Sequence, residues 1–232
     1  MGYNERLFSS GFRKTLHLAR FKWLTNCLTK LNCPYEYVIE LGCFDGKTIE
    51  YLPSKPMRYM GIDANVEGGL DIAKEKWAQE KNFTFQYCLT PSDMKLENEQ
   101  FDIAVCMETL EHVPPTLVKP YLEELSKVTK EYIFISIPNE KGLIFFLKYL
   151  VKKLIVGDVH SYTLSEFVNA TLGRMNKVER NEHKGFDYQL LIKDVAKYFD
   201  IYEISGIPFN FLPLFLNFQI GIIGKKKLTF TK

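Results

Sequence analysis

Tyr37-Val-Ile-Glu-Leu-Gly-Cys-Phe-Asp-Gly46-Lys-Thr is the stretch from which the rest of the chain is read. Tyr37, Val38 and Ile39 favour β structure and run into Glu40, Leu41 and Gly42. A second glycine, Gly46, stands four positions on, and Lys47 to Leu52 can begin a helix. A strand that ends in a tight glycine turn and passes into a helix makes a nucleotide crevice at the carboxyl edge of a parallel sheet. A dinucleotide site needs G-x-G-x-x-G, so that backbone N–H groups and a helix N-terminus approach a pyrophosphate. Here the spacing is Gly42-x-x-x-Gly46, and the acid Glu40 stands two residues before the first glycine, a poor arrangement for a phosphate. The expected ligand is adenosine carrying a cationic or zwitterionic tail.

Working outward, Arg58-Tyr-Met-Gly-Ile-Asp63 reads as a second strand whose terminal acid lies about 20 residues beyond Gly42, where a carboxylate can accept both hydrogens of a ribose diol. A strand-end aspartate also serves as a helix cap, but the placement of the two glycines favours the ribose role for Asp63, with Ala64 beside it. A helix is expected over residues 69–79 and strands at 83–88, 101–106 and 132–137. Between the last two strands Val118, Tyr121, Leu122, Leu125 and Val128 recur at helical spacing. Strands alternating with helices at this interval predict right-handed crossovers and a parallel sheet covered on both faces. The fold class is therefore α/β, a doubly wound, mostly parallel sheet.

The chain of 232 residues has room for one such domain with a full core. Its composition, 46% hydrophobic and 25% charged, is that of an ordinary globular protein, and a net charge of +2 gives no general argument for nucleic acid. Cys27, Cys33, Cys43, Cys88 and Cys106 are odd in number, form no C-x-x-C and fall partly in apolar runs, which predicts reduced core thiols and a cytoplasmic setting. No secretory leader or 18-residue apolar span is read. Residues 5–31 carry apolar residues at three- and four-residue steps between basic ones, which predicts a helix that packs with a solvated face or caps a site. Residues 142–156 are apolar with Lys148, Lys152 and Lys153, too short to span a bilayer; they predict a helix that lids the site or lies in a membrane interface.

Directly after the fourth strand comes Met107-Glu108-Thr-Leu-Glu111-His112-Val-Pro. In a helical turn Glu108, Glu111 and His112 share one face, and three ionisable groups so close need a proton or a cation between them. A later histidine, His160, precedes Thr163, a reasonable helix cap. His112 also reads as a general base or a structural histidine; His17 and His183 match no pattern and are expected at the surface.

Two resemblances follow from these residues. Glu40-Leu-Gly-Cys-Phe-Asp-Gly46 resembles the first motif of class I S-adenosylmethionine-dependent methyltransferases, usually D/E-x-G-x-G-x-G. Cys106-Met-Glu-Thr-Leu-Glu-His112-Val, with Ile137-Pro-Asn139 and a histidine before T-x-x-E-F, looks like the ubiquinone-biosynthesis O-methyltransferases. It is also similar to the small-RNA 3′-terminal 2′-O-methyltransferases, whose E-x-x-E-H turn and later histidine hold a divalent cation. The final third reads as a helix near 163–172, another near 187–198 and two late strands near 200–204 and 218–223, and this closing pair fits the antiparallel hairpin of the Rossmann-like seven-stranded sheet that the resemblance implies. It divides the chain into a helical cap (1–34), a cofactor-binding core (35–140), a lid or acceptor insertion (141–172) and a C-terminal helix and strand pair (173–232). It implies S-adenosylmethionine bound by Glu40, Gly42, Cys43, Phe44, Gly46, Asp63, Ala64 and Met107. It implies a metal, Mg²⁺, Mn²⁺ or Zn²⁺, held by Glu108, Glu111, His112 and His160, with His112 and Glu111 catalytic. Two oxygens and two nitrogens suit Mn²⁺, Fe²⁺ or Zn²⁺ better than Mg²⁺. The expected acceptor is a small-molecule hydroxyl; an RNA end and a cofactor-binding protein without turnover are the alternatives. Phe44 replaces the middle glycine of the motif and must turn away from the cofactor or wall it off.

Overall fold

The computed structural model describes residues 11–156, 162–181 and 183–227. Strand β1 (Tyr37–Leu41) lies between β2 (Arg58–Asp63) and β4 (Phe101–Met107), with β3 (Phe83–Tyr87) outside β2 and β5 (Thr129–Pro138) outside β4. These five are parallel. β7 (Gln219–Lys226) then runs antiparallel to both β5 and β6 (Phe199–Ile207), so the spatial order is β3-β2-β1-β4-β5-β7-β6. The order reverses between β1 and β4. In an open sheet of this kind the carboxyl ends of strands on either side of such a switch leave a crevice.

Period-two alternation sends side chains of one strand into two different layers. Ile133, Ile135 and Ile137 of β5 enter the layer that includes Leu122 and Leu125 of the helix Pro115–Val128 and Val195 of the helix Tyr188–Tyr198, whereas Phe134 enters the opposite layer. There it joins Phe21, Leu24 and Leu28 of helix α1 (Gly11–Leu31). Helix α2 covers Gly69–Lys76, α3 is Pro115–Val128, α4 Gly142–Val156, α5 Leu164–Thr171 and α6 Tyr188–Tyr198. All five positions read as the inner face of α3, from Val118 to Val128, are buried.

After Gly46 the chain forms a 3-10 turn, Lys47–Tyr51, instead of the expected start of a longer helix. Leu52 takes an extended conformation (φ −70°, ψ 132°), because the following Pro53 disfavours a helical residue before it. Thr163 caps α5: Glu166 N–H donates to its hydroxyl at 3.2 Å, and the Glu166 carboxylate accepts the Thr163 N–H at 2.9 Å. The connection after β5 and the following helices have a small apolar core of their own, in which Phe145, Ala170, Met175 and Val178 are buried with Tyr149, Tyr162 and Phe167 against them. All five cysteines are free thiols, four of them buried. No described helix is long and apolar enough to cross a membrane.

Candidate functional site

The turn after β1 is held by its own N–H groups donating to β2, one to a backbone carbonyl and one to a side chain. Gly42 N–H donates to Ile62 O at 2.7 Å, and Phe44 N–H donates to Asp63 Oδ2 at 2.9 Å. The other carboxylate oxygen of Asp63 accepts the Asn65 N–H at 2.7 Å. Asp63 therefore stands at the turn itself; each oxygen keeps a lone pair beyond its backbone bond, as a ribose diol requires. Ala64 is exposed at the edge beside it.

Gly42 has φ +74°, and a Cβ there would lie 2.1 Å from Thr109 Oγ1. Only a glycine lets the turn after β1 close against the turn after β4, so the two predicted motifs interlock through this contact. Phe44 keeps the left-handed backbone of the glycine it replaces (φ 45°). Its ring packs on the first residue of α2: a Cβ on Gly69 would come within 2.3 Å of it. The ring thus turns toward the helix N-terminus. Cys43 is buried, with its sulfur against Gly61, and Gly46 leads into the 3-10 turn.

Glu40 is 1% exposed and accepts short hydrogen bonds from the hydroxyls of Thr48 and Tyr59. Burial lifts its pKa to about 7, partly opposed by those two bonds. The structure gives it the role of a post inside the turn. Met107, at the end of β4, is buried in the layer that holds α1. Beyond β3, Asp93 accepts the N–H groups of Leu89 (3.1 Å) and Thr90 (2.8 Å), so this carboxylate caps its own turn.

Around the E-x-x-E-H turn the arrangement departs from the expected single face. Glu108 has a left-handed backbone (φ 50°), which swings its side chain out of line with Glu111 and His112. Its carboxylate accepts Arg20 Nη1 of α1 at 2.6 Å and Gln219 Nε2 of β7 at 2.6 Å, with His17 Nδ1 4.0 Å away. Burial alone would raise its pKa, but Arg20 and His17 more than reverse this and hold the carboxyl below its usual range. Glu111 is fully buried, and neither of its carboxylate oxygens has a hydrogen-bond partner. Burial, and then the Glu108 charge, raise its pKa well above normal.

His183, expected at the surface, stands beside this carboxyl. Its ring meets that of His112 edge-on, 4.3 Å between centroids, and burial followed by the His112 charge lowers its pKa to about 4. Its Nδ1 is buried with no partner. His17 is likewise half-buried, beside Arg20. The ligand atoms of Glu111, His112 and His183 lie within 4.8 Å of one another. Among the described residues this is the group able to hold a cation, and the two Glu111 oxygens and His183 Nδ1, buried without partners, are what a cation would satisfy. It shares Glu111 and His112 with the expected set; Glu108 is engaged by Arg20 and Gln219, and His160 lies outside the described residues. Sequence alone did not find His183 because it sits 71 residues beyond His112 in an irregular segment. Its place just before Gly185, in the turn bounded by the Asn181–Lys184 bridge, was the only local cue.

A carboxylate-ended second strand, a glycine turn against it and an ionisable turn at the sheet's switch point together define an α/β enzyme of the adenosine-cofactor type. The Methyltransferase domain family model matches residues 38–132, from β1 into β5. The ubiquinone biosynthesis O-methyltransferase of Haemophilus ducreyi is 31% identical over 166 residues, covering 62% of this chain and 66% of the relative. That of Colwellia psychrerythraea is 35% identical over 121 residues, covering 46% and 48%. The chain therefore spans about half to two thirds of the length of these relatives. An S-adenosylmethionine-dependent methyltransferase from Clostridium acetobutylicum has the same fold, with TM-score 0.66 and 13% identity over 96% of this chain and 95% of that one. The chain carries a methyltransferase domain in the fold of the class I S-adenosylmethionine-dependent methyltransferases, and it is an enzyme of that kind.

Proposed function

We propose that the chain transfers the methyl group of S-adenosylmethionine to a hydroxyl of a small-molecule acceptor, with a divalent cation held by Glu111, His112 and His183. The observation that carries this reading is the contact between Gly42 and Thr109, which sets the cofactor turn against the turn bearing Glu111 and His112. S-adenosylmethionine supplies an electrophilic methyl on sulfur. The chain has to orient an acceptor oxygen toward it and manage that oxygen's proton.

In this reading Asp63 takes the ribose, Gly42 to Gly46 shape the methionyl end, and Met107 packs near the adenine. One carboxylate and two imidazoles suit Mn²⁺, Fe²⁺ or Zn²⁺, and a bound cation would make the hydroxyl easier to deprotonate. His112 is the exposed member of the three, placed to meet an acceptor, while His183 is half-buried and Glu111 buried. Glu108 ties α1 and β7 to the site's rim and keeps its negative charge there. Sequence similarity to O-methyltransferases supports oxygen as the acceptor atom.

The test is an acceptor screen over phenolic, polyol, carboxylate and amine compounds with radiolabelled cofactor, with manganese(II) and with chelator. Turnover of a hydroxyl compound that chelator abolishes and manganese restores supports the reading. Turnover on nitrogen alone, or turnover indifferent to chelator, overturns its acceptor or its cation half respectively.

A further inference from the structure

Helix α4 is apolar on its outer face as well as on its inner one. Leu143, Leu147, Leu150, Val151 and Leu154 are exposed, Leu154 at 78%, and their spacing places them on one stripe. The opposite side is also apolar, with Ile144 and Phe145 buried and the Phe145 ring 5.1 Å from that of Tyr162. Ordinary folding explains the inner face; among the described residues nothing covers the outer one.

A second element continues this surface. Residues 208–218 join β6 to β7 and contain no charged residue, but include four phenylalanines. Phe209, Phe211 and Phe215 are exposed, Phe211 at 79%, and the Leu214–Leu216 turn packs against α4. This loop is held from within. Asn217, fully buried, donates to Pro213 O at 3.2 Å and accepts the Phe209 N–H at 3.0 Å, and the buried Asn139 donates to Asn217 O at 3.0 Å. Two buried amides therefore hold the backbone that presents the rings to solvent. This is the work of Asn139, the asparagine that follows β5.

An apolar surface spread over two elements marks an interaction site. Its charges indicate the partner: residues 142–156 carry Lys148, Lys152 and Lys153 and no acid. Lys148 turns back to Glu140 at 2.6 Å, whereas Lys153 is exposed beside the stripe. A symmetric second copy docked through α4 would set Lys153 against its equivalent, which is unfavourable. An anionic phospholipid surface offers the complement, hydrocarbon for leucine and phenylalanine and headgroup charge for lysine. At 15 residues α4 is too short to span a bilayer and fits one lying in the interface.

We infer that α4 and the Phe209–Phe215 loop together form a docking surface for anionic lipid membranes. Gln219, at the end of this loop, donates to Glu108, so docking brings the rim of the site to the lipid surface. The inference goes beyond methyl transfer, and its test needs no cofactor.

The full chain is floated with vesicles of phosphatidylcholine and of phosphatidylcholine mixed with phosphatidylglycerol, while light scattering reports its size. Binding to the mixed vesicles, weakened by salt and by Lys153→Glu, is expected. Leu150→Ser with Phe211→Ser should lower partitioning at least about tenfold, since each change removes a large apolar contact. Circular dichroism and S-adenosylmethionine affinity should stay as in the wild type, which separates loss of docking from loss of fold or cofactor site. If the double variant misfolds, Phe211→Ser alone carries the test, as that side chain stands almost wholly in solvent. No binding to either vesicle, or binding that Phe211→Ser leaves unchanged, overturns the inference. So does a dimer that Leu150→Ser dissociates in a protein that ignores vesicles, which would assign the surface to a second copy.

Discussion

Glu40, between the hydroxyls of Thr48 and Tyr59, is a carboxyl whose proton matters to folding. Its pKa in the folded chain is about 7, above the ordinary 4.5. A raised value means that its contribution to stability is fully present below the unfolded pKa and is lost as pH climbs through about 7. The displacement corresponds to about 3 kcal/mol across that window. Glu40→Gln should therefore remove this loss: urea melts at a series of pH values should show the wild type falling relative to the variant by roughly that amount between mild acid and mild alkali. Parallel curves would mean that no proton is held there. Asp63 makes a different demand, because its carboxylate serves the turn as well as the proposed ribose. Asp63→Ala should weaken S-adenosylmethionine binding by more than about tenfold in calorimetry, the effect of deleting a charged hydrogen-bond acceptor. Unchanged affinity would count against the ribose role, and Asp63→Asn, which can still accept the backbone N–H of Phe44, separates that role from support of the turn.

Elements could be read from sequence where their residues face a core at a regular period. The inner face of α3 and the bounds of β2 came directly from spacing, because burial on a helix or strand leaves a periodic trace. The cation-capable group could be read only in part. Glu111 and His112 share a turn, but His183 comes from an aperiodic segment, and Glu108 is redirected by a left-handed backbone that no spacing encodes. Its partner Arg20 was one of several basic residues along α1; only packing on the sheet distinguishes it. Arg20, with a side chain 10% exposed, and Glu108, at 16%, form the ion pair that fastens α1 to the turn after β4. Removing one partner of such a pair leaves the other charge poorly solvated, at a cost of about 3 kcal/mol. Arg20→Met should lower the melting temperature by roughly 5–10 °C, and restoring neutrality with Glu108→Gln in the same chain should recover part of that loss. A double variant no more stable than Arg20→Met would show that the pair contributes little.

At the scale of the whole molecule, the reversal of strand order between β1 and β4 decides where chemistry can occur, and it was legible because alternating strands and helices admit few topologies. The mutual fit of the two turns at that reversal was not legible: nothing in the residue pattern announces that Thr109 fills the space over Gly42. In the proposed reading that contact sets cofactor and cation side by side in one folded unit, so both should stabilise it. A ligand that binds only the folded chain adds about 2.7 kcal/mol at a concentration one hundred times its dissociation constant, or roughly 5–10 °C for a domain of this size. S-adenosylmethionine should raise the melting temperature of the wild type with or without chelator, because its proposed contacts lie in the turn and β2. Manganese(II) should raise it in the wild type and in Asp63→Ala, and fail to do so in Glu111→Gln. A manganese shift that persists in Glu111→Gln would remove this carboxylate from the cation site, while a cofactor shift that chelator abolishes would make the two sites one.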